Sequence, residues 1–159
     1  MPEFDRTDLR ILAALQEDAS LSLNDLAGSV NLSTNACWRR VKRLEEAGVI
    51  RKRVALLDPQ AVGCGVTVFV AVRTSQHTHD WLDAFAKAVR RIPEVVEFYR
   101  MSGDLDYLLK ILVADIAHYD RVYKRLIKEI SLTDVSASFA MEQIKYTTAV
   151  PLPDKATLS

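Results

Sequence analysis

The sequence predicts an α+β protein, in which a winged-type helix-turn-helix domain precedes a ferredoxin-like β-α-β-β-α-β domain. Before residue 48, apolar residues recur at helical spacing in short segments that begin with capping residues. After residue 65, apolar and polar residues alternate as in strands, with amphipathic helices between them. Residues 59–65 contain two glycines and one proline, a composition typical of a boundary. We therefore expect the helix-turn-helix domain with a following strand at 1–59, a hinge at 60–65, the ferredoxin-like domain at 66–150 and a loose tail at 151–159.

The composition is that of an ordinary folded protein, and it excludes several classes. Of the 159 residues, 49% are hydrophobic and 26% are charged. No apolar run approaches the ~20 residues that span a bilayer, and Met1–Asp5 lacks the basic and apolar regions of a signal peptide. The cysteines are Cys37 and Cys64, so we expect no disulfide framework and a cytoplasmic location.

Positive charge is concentrated in one segment of a chain whose formal net charge is zero. Residues 34–54 contain seven basic residues against the acidic Glu45 and Glu46, which gives this segment a net charge of +5 and the rest of the chain −5. A local basic patch of this kind is typical of a nucleic-acid contact surface. The basic residues are Arg39, Arg40, Lys42, Arg43, Arg51, Lys52 and Arg53.

Caps and apolar faces predict a three-helix arrangement in the first domain. Asp5, with Asp8 three residues later, begins a helix that extends to about Glu17. Ser22 caps a second, short helix, and Asn31–Leu32 form a tight turn before the third. Two short helices joined by a tight turn, with the basic one second, indicate a helix-turn-helix.

The third helix, from its N-cap Ser33 to Gly48, is the candidate DNA-reading helix. Cys37, Val41 and Leu44 fall on one apolar face. The basic residues lie on another face, where they can neutralise phosphates. Taken alone, this pattern fits a solvated charged face equally well, and the helix-turn-helix context favours the DNA-binding interpretation.

Further DNA contacts are predicted around this helix. The β-rich segment Val49–Leu57 predicts a wing-like strand or hairpin edge whose cations add phosphate contacts, although cations also blunt the edges of strands. Trp38 is expected to pack against the first helix, with a place near the DNA backbone as the alternative. Thr34 and Asn35 can reach base edges. The predicted DNA-binding residues are Ser33, Thr34, Asn35, Trp38, Arg39, Arg40, Lys42, Arg43, Arg51, Lys52 and Arg53.

The second domain is predicted from alternating and helical periods. The expected strands are 66–73, 95–101, 107–114 and 135–142. The expected helices are centred on 82–89 and 119–130. The face of the sheet without helices is expected to carry Phe69 or Val68, Leu108 or Leu109, and Phe139. A second copy of the chain would bury this apolar face, so we expect at least a dimer that presents two reading helices.

The turn between the second and third strands is the candidate ligand loop. Gly103 can adopt a positive φ and expose backbone amides that suit a carboxylate. Asp104 and Asp106 can accept hydrogen bonds from an ammonium group. Glycine and aspartate are also the ordinary residues of a hairpin turn, so the residues alone leave both interpretations open.

Two sets of motifs identify a family resemblance. In the first domain the motifs are Leu15-Gln16-Glu17-Asp18, Leu32-Ser33, Cys37, Arg40-Val41, Arg43-Leu44-Glu45, Gly48-Val49-Ile50 and residues 55–59. In the second domain they are residues 102–110 and Met141-Glu142-Gln143-Ile144-Lys145. Across residues 4–150 the chain resembles the Lrp/AsnC, or feast/famine, family of transcription regulators. Trp38, residues 54–59 and residues 138–148 are most similar to its cysteine-responsive DecR-type branch.

The resemblance implies dimers that assemble further, commonly into octamers, on double-stranded DNA. It also implies a small amino-acid effector bound between dimers, with cysteine and a leucine-like amino acid both open, and no other cofactor. We therefore expect an effector-responsive transcriptional regulator in the cytoplasm, associated with the nucleoid. The implied effector-binding residues are Met101, Ser102, Gly103, Asp104, Leu105, Asp106, Tyr107, Ser136 and Ser138.

Other interpretations are kept beside this one. An architectural, nucleoid-type DNA-binding protein without an effector is one alternative, and an amino-acid-sensing regulatory subunit of an enzyme is another. No Ser/His/Asp set, Cys/His set or P-loop supports catalysis, so we expect no enzyme.

Six residues also have an interpretation without a role in binding or catalysis. His77 and His79 lack a third ligand nearby and are expected to be surface loop residues, not a metal site. Cys37 is expected to be a small core residue. Cys64 is expected in the hinge, where exposure would allow a redox role, but the sequence offers no charged partner to lower the pKa of its thiol. Ser136 and Ser138 fit solvent-facing or interface positions as well as ligand contacts.

Overall fold

The structure is a computed structural model that describes residues 4–76, 78–129, 132 and 134–153. The expectations for Met1–Glu3, His77, Ile130 and residues 154–159 lie outside these ranges. The chain divides into a helical unit, Met1–Ala55 with Lys145–Ser159, and a sheet unit, Leu56–Ile144. Nowhere in the described ranges is a helix both long and apolar enough to cross a membrane.

The helical unit contains α1 (Arg6–Glu17), α2 (Leu23–Ser29) and α3 (Thr34–Glu46). The predicted N-caps are confirmed. Asp5 Oδ1 accepts from the backbone N–H of Asp8 at 2.8 Å, and Asp8 Oδ2 accepts from that of Asp5 at 3.2 Å, which completes a capping box. Ser22 and Ser33 accept in the same way from the backbone N–H groups three residues later.

Helix α3 is held by one buried stripe and ends at Ala47, its C-cap, followed by a glycine. The stripe, Cys37, Val41 and Leu44, packs in a core with residues of α1 and α2 such as Ile11. At the other end, Gly48 has a φ of +70°. The N–H groups of the next two residues can therefore donate to the carbonyl oxygen of Leu44, at 3.0 and 3.1 Å.

The wing-like strand expected at Val49–Leu57 is not formed within the described residues. Residues 51–58 have no regular secondary structure, and their side chains are exposed. A strand needs a hydrogen-bonded neighbour, and no backbone–backbone hydrogen bond is described for residues 51–57. The β-rich composition of this segment was therefore insufficient to make it a strand.

The C-terminal segment returns to the helical unit. The side chain of Gln16 donates to the carbonyl oxygen of Val150 at 3.2 Å and accepts from its N–H at 2.6 Å. Leu152 is partly buried against the core of this unit. The ferredoxin-like domain was expected to end at residue 150, with a loose tail from 151. The structure instead holds Val150 and Leu152 on the helical unit.

The sheet unit has the predicted β-α-β-β-α-β order. Its elements are β1 (Val66–Arg73), α4 (His79–Arg90), β2 (Val95–Arg100), β3 (Tyr107–Val113), α5 (Ile116–Glu129) and β4 (Asp134–Phe139). The strands form an antiparallel sheet in the spatial order β2-β3-β1-β4. Strand β4 is shorter than the predicted 135–142, and only the N–H of Ala140 continues the pairing, to Thr67.

The register assigns each strand residue to a face of the sheet. Val68 and Leu109 are fully buried on the face that packs with Phe85 of α4. Phe69 and Leu108 lie on the opposite, open face, as one of the two predicted registers requires. Phe139 was expected on the open face, and this was wrong. It pairs with Val68, so it points to the helix side, where its ring centroid lies 5.3 Å from that of Tyr119.

Candidate nucleic-acid interface and ligand loop

Helix α3 exposes a polar side opposite its buried stripe. Asn35, Arg39 and Lys42 are spaced by four and three residues, so they share one side of the helix, and all are solvent-exposed. Arg39 makes no ion pair within the described residues. Lys42 has only a long contact, 3.7 Å between its Nζ and Oε2 of Glu45. Two cations and an amide are thus available to a ligand at this surface.

Arg40 is turned toward α1 instead. Its Nη1 lies 2.6 Å from Oδ2 of Asp5 and 2.8 Å from Oδ1 of Asp8. The hydrogen bonds to Asp5 and then to Asp8 raise the pKa of Arg40. The structure therefore places Arg40, one of the predicted DNA-binding residues, in an ion-pair network between helices.

Asp8 is the centre of that network. Its side chain is only 1% exposed, and its second oxygen, Oδ2, lies 2.5 Å from Nη2 of Arg43. Arg43 is 57% exposed, so part of its guanidinium remains open to solvent while one nitrogen is held. We call Asp5, Asp8, Arg40 and Arg43 the Asp8 network.

Within the described residues, the three cations after α3 also divide into one that is ion-paired and two that are not. Arg53 Nη2 lies 3.3 Å from Oε1 of Glu45. Arg51 and Lys52 are exposed and have no ion pair in the part of the chain that is described. Of the seven basic residues counted in the sequence, Arg39, Arg51 and Lys52 therefore have no ion pair in the described part of the chain.

The first turn of α3 has mainly a structural role. Ser33 Oγ is the N-cap acceptor, at 3.3 Å from the N–H of Ala36. The hydroxyl of Thr34 donates to Oδ1 of Asn24 at 2.8 Å, which ties α2 to α3 and commits its only hydrogen. Asn35 has no described hydrogen-bond partner, so its amide is free to read a base edge.

Trp38 was expected to pack against α1, and the structure leaves it half exposed. Its side chain is 51% exposed, and its ring makes no aromatic contact within the described residues. It lies three residues after Asn35 and four before Lys42, so it belongs to the exposed side of α3.

The candidate ligand loop is a tight turn that β1 holds in place. Gly103 has a φ of +120°, and no atom lies within 4 Å of the position a Cβ would occupy. The N–H of Met101 donates to the carbonyl oxygen of Asp106 at 2.8 Å. One carboxylate oxygen of Asp106 accepts from the N–H of Thr74 at 2.8 Å, so this side chain fastens the loop to the end of β1.

Arg73 also contacts this loop, although it was not among the residues predicted for the site. Its Nε donates to the carbonyl oxygen of Asp104 at 2.8 Å, and its Nη1 lies 3.0 Å from Oδ2 of Asp134. Arg73 thereby joins the loop to the start of β4. The only sequence signal was its position, as a charged residue at the end of an apolar strand.

The other predicted loop and strand residues separate into two groups. Tyr107 is buried on the helix side of the sheet, where its ring lies 5.3 to 5.7 Å from those of Trp81, Phe85 and Phe98. Its side chain is therefore part of the core. The exposed or half-buried residues are Met101, Ser102, Gly103, Asp104, Leu105 and Asp106.

Ser136 and Ser138 are exposed on the open face of the sheet. Ser136 pairs with Ala71 and Ser138 with Phe69, so Ser136 is the nearer of the two to Arg73 at the end of β1. The strand therefore presents both hydroxyls on the same side, as predicted, with only Ser136 next to the loop end of the sheet.

Comparison with known proteins identifies the family. Residues 67–150 match the family described as the Lrp/AsnC ligand binding domain, and residues 4–51 match the winged helix-turn-helix DNA-binding family. The first match covers more than half of the chain. The chain belongs to the Lrp/AsnC family. It is a DNA-binding transcriptional regulator and not an enzyme.

Several Lrp/AsnC proteins are similar over nearly the whole length. The glutamate uptake regulatory protein of Zymomonas mobilis is 53% identical over 96% of this chain and 93% of its own length. The DNA-binding transcriptional activator DecR of Escherichia coli is 50% identical over 93% of this chain and 98% of its own. A Neisseria meningitidis regulator in complex with L-Met superposes with a TM-score of 0.88 at 36% identity, covering 93% of this chain and 96% of that chain.

Cys37, Cys64 and His79 belong neither to the exposed side of α3 nor to the ligand loop. Cys37 is fully buried, and burial raises the pKa of its thiol, which fits an inert core residue. Cys64 is half-buried in the turn after Pro59, where its N–H donates to the Pro59 carbonyl oxygen at 2.7 Å. His79 Nδ1 lies 3.3 Å from Oδ2 of Asp83 on the same helix. In the described ranges no group of His, Cys, Asp and Glu is arranged to hold a metal ion.

Proposed function

We infer that this Lrp/AsnC protein regulates transcription by sequence-specific DNA binding that a small amino acid modulates. The observation that carries this inference is the exposed side of α3. There Asn35 and Arg39 have no described partner and Lys42 has only its 3.7 Å contact with Glu45, while Asp8 holds Arg40 and Arg43. The fixed network sets the helix on its unit, and the free residues are left for DNA.

We assign different roles to the free polar residues. Arg39, Lys42, Arg51 and Lys52 neutralise phosphates, which supplies affinity without sequence preference. Asn35 lies in the first turn of α3, which enters the major groove in helix-turn-helix proteins, and it donates to or accepts from a base edge. Arg43 contributes a phosphate contact through the exposed part of its guanidinium.

A matched pair of neighbouring arginines tests the DNA surface. Arg39→Gln should weaken binding to every duplex and reduce the slope of log affinity against log salt by ~0.9 per subunit in contact, because one phosphate contact is lost. It should leave stability unchanged, since Arg39 has no described ion pair. Arg40→Gln removes the same charge but should lower stability and leave the salt slope close to that of the wild type. Fluorescence anisotropy of labelled duplexes and thermal melting measure both effects.

If Arg39→Gln binds like the wild type at low salt, α3 has been assigned wrongly as the reading helix. If Arg40→Gln lowers the slope as much as Arg39→Gln, the ion-pair network opens on DNA and Arg40 contacts phosphate.

We propose the ligand loop, Met101–Asp106, together with Arg73 and Ser136, as part of the amino-acid site. Gly103 leaves bare backbone beside exposed amides, which suits an α-carboxylate. Asp104 is exposed, and its carboxylate suits an α-ammonium group. The L-Met complex of the Neisseria relative supports an amino acid as effector, with cysteine and a leucine-like amino acid as the leading candidates for this chain.

Two glycines with positive φ provide a matched test of this site. Alanine at Gly103 or at Gly63, whose φ values are +120° and +76°, should each cost about 1–3 kcal/mol of backbone strain. Only Gly103→Ala should also reduce the rise in melting temperature that the effector produces. A thermal-shift screen of the twenty amino acids, including L-cysteine, L-leucine, L-methionine and L-glutamate, identifies the ligand.

Failure of every amino acid to change melting or assembly would favour an architectural DNA-binding protein without an effector. An equal loss of the shift in the Gly63→Ala variant would remove the ligand loop from the site.

We further propose a homodimer that assembles to an octamer on DNA, in the cytoplasm and associated with the nucleoid. The apolar residues on the open face of the sheet support an interface between copies, and the DNA partner supports the location.

A further inference from the structure

Trp38 is an exposed residue of α3 that carries no charge, so attraction to DNA phosphates gives it no role in binding. Its side chain is 51% exposed, and its ring has no aromatic partner in the described part of the chain. The other tryptophan, Trp81, is 9% exposed, with its ring centroid 5.1 Å from that of Phe85. Leaving an indole in water is unfavourable, because its apolar surface gains free energy on burial. The exposed indole is therefore available for an apolar contact when DNA lies against α3.

Trp38 lies in the N-terminal half of α3, on its exposed side. It shares the exposed side with Asn35 and Lys42, and the buried stripe lies on another side of the helix. Side chains in a helix lean toward its N-terminus, so the indole covers the surface beside Asn35. The N-terminal turns of a recognition helix are the part that meets base edges in the major groove.

We propose that Trp38 determines sequence specificity through an apolar contact with the C5 methyl group of a thymine. The proposal rests on the DNA-binding function inferred above. The indole carries no charge, so it gains little from phosphates. Thymine methyl groups are the apolar feature of the major groove, and burying one against the indole removes water from both. Arg39 and Lys42, on the same side, supply the charge that brings the groove to this surface.

This role has a signature distinct from that of the cations. A phosphate contact changes affinity for all sequences and changes the salt dependence, whereas a methyl contact changes affinity only where thymine occupies one position. Truncating Trp38 should thus separate specific from non-specific binding, and truncating Arg39 should not.

The test uses the full chain and two duplexes of about 30 base pairs, long enough for two half-sites. One is enriched from a random pool by the wild-type protein, and the other has an unrelated mixed sequence. Trp38→Ala should bind the enriched duplex about tenfold more weakly for each half-site in contact, the usual scale for one lost base contact, with little change on the mixed duplex or in the salt slope. Trp38→Phe should keep most of the affinity, since a phenyl ring can still cover a methyl group. Leu57→Ala truncates another exposed apolar residue, outside α3, and should change the affinity for neither duplex.

Replacing single thymines of the enriched duplex by uracil removes only the methyl group and identifies the contact. One such replacement per half-site should weaken binding of the wild type and have no further effect on Trp38→Ala. In the Trp81→Phe variant, Trp38 is the sole tryptophan. Iodide quenching of its fluorescence should fall when the enriched duplex is added.

The outcomes distinguish this proposal from the function on which it rests. If no duplex binds the wild type, DNA binding itself is refuted. If Arg39→Gln weakens both duplexes while Trp38→Ala binds both like the wild type, DNA binding stands and the role of Trp38 is overturned. The role is also overturned if every uracil replacement has the same effect in the wild type and in Trp38→Ala. Far-UV circular dichroism checks that each variant is folded.

Discussion

At the scale of single residues, Asp8 shows how one carboxylate can have two functions at once. Its backbone N–H and one side-chain oxygen complete the capping box with Asp5. Both side-chain oxygens also reach guanidinium groups of α3, one on Arg40 and one on Arg43. A carboxylate that is 1% exposed needs such partners, because an unpaired buried charge is strongly unfavourable.

Asp8→Asn should destabilise the protein by about 2 kcal/mol. The value is below the 3–5 kcal/mol typical of a fully buried pair, because Arg40 and Arg43 are partly solvated. Asp25→Asn is the matched control, since Asp25 occupies the same position in α2 but is exposed. It should cost less than about 0.5 kcal/mol. Urea unfolding followed by far-UV circular dichroism measures both, and equal losses would show that Asp8 acts only as a capping residue.

At the scale of elements, the helices of the helical unit begin with caps that respond differently to pH. Asp5 accepts from the backbone N–H of Asp8, and this hydrogen bond, followed by those to Arg40, holds the pKa of Asp5 below its ordinary value. Ser33 caps α3 with a hydroxyl that does not titrate. The two helices are therefore capped with similar geometry but different chemistry.

The effect of Asp5→Ala should depend on pH. A carboxyl whose folded pKa is lowered stabilises the fold fully above its unfolded pKa, near 4, and this contribution is lost as the pH falls through the folded pKa. The loss from Asp5→Ala, about 1 kcal/mol at pH 7, should therefore shrink on acidification below pH 4. Ser33→Ala should cost a similar amount that is the same at both pH values. Urea unfolding at neutral and acidic pH compares them, and a constant loss for Asp5→Ala would contradict the assigned cause.

The ligand loop is an element whose local sequence and tertiary contacts explain different properties. Gly103 and its neighbours predict a turn, because their backbone preferences are local. What orients the turn is Arg73, 31 residues from Asp104, and Asp106, which fastens it to Thr74. Residue types at the turn could therefore predict its existence but not the partner that positions it.

At the scale of the whole molecule, the distribution of apolar surface favours self-association. Phe69 is 38% exposed on the open face of the sheet, and Leu108 and Leu112 on the same face are half-buried. The face is not uniformly apolar. Glu97 accepts from Lys110 at 2.9 Å and from the Tyr99 hydroxyl at 2.8 Å, and the bond from Lys110 leads in lowering the pKa of Glu97.

Phe69→Lys should shift the protein from dimers or larger assemblies toward monomers. A lysine on the open face would place a charge in an interface between copies, where it would be desolvated without a partner. Ile116→Lys is the control, because Ile116 is also exposed but lies at the start of α5, off the sheet. Sedimentation velocity separates the species. An unchanged distribution for Phe69→Lys would exclude the open face as the interface.

The sequence alone determined the helices, the order of the strands, the caps and the family. These depend on residues close together in the chain, such as Asp5 and Asp8, or on motifs that need no three-dimensional context. Tertiary structure decided which side chains are available. Arg39 and Arg40 are adjacent and chemically identical, yet only Arg40 meets a carboxylate that lies 32 residues earlier in the chain. Phe139 faces the helices because β4 pairs with β1 in one register, and Val150 is held by Gln16, 134 residues away. Such contacts depend on how distant segments pack, which local periodicity does not encode.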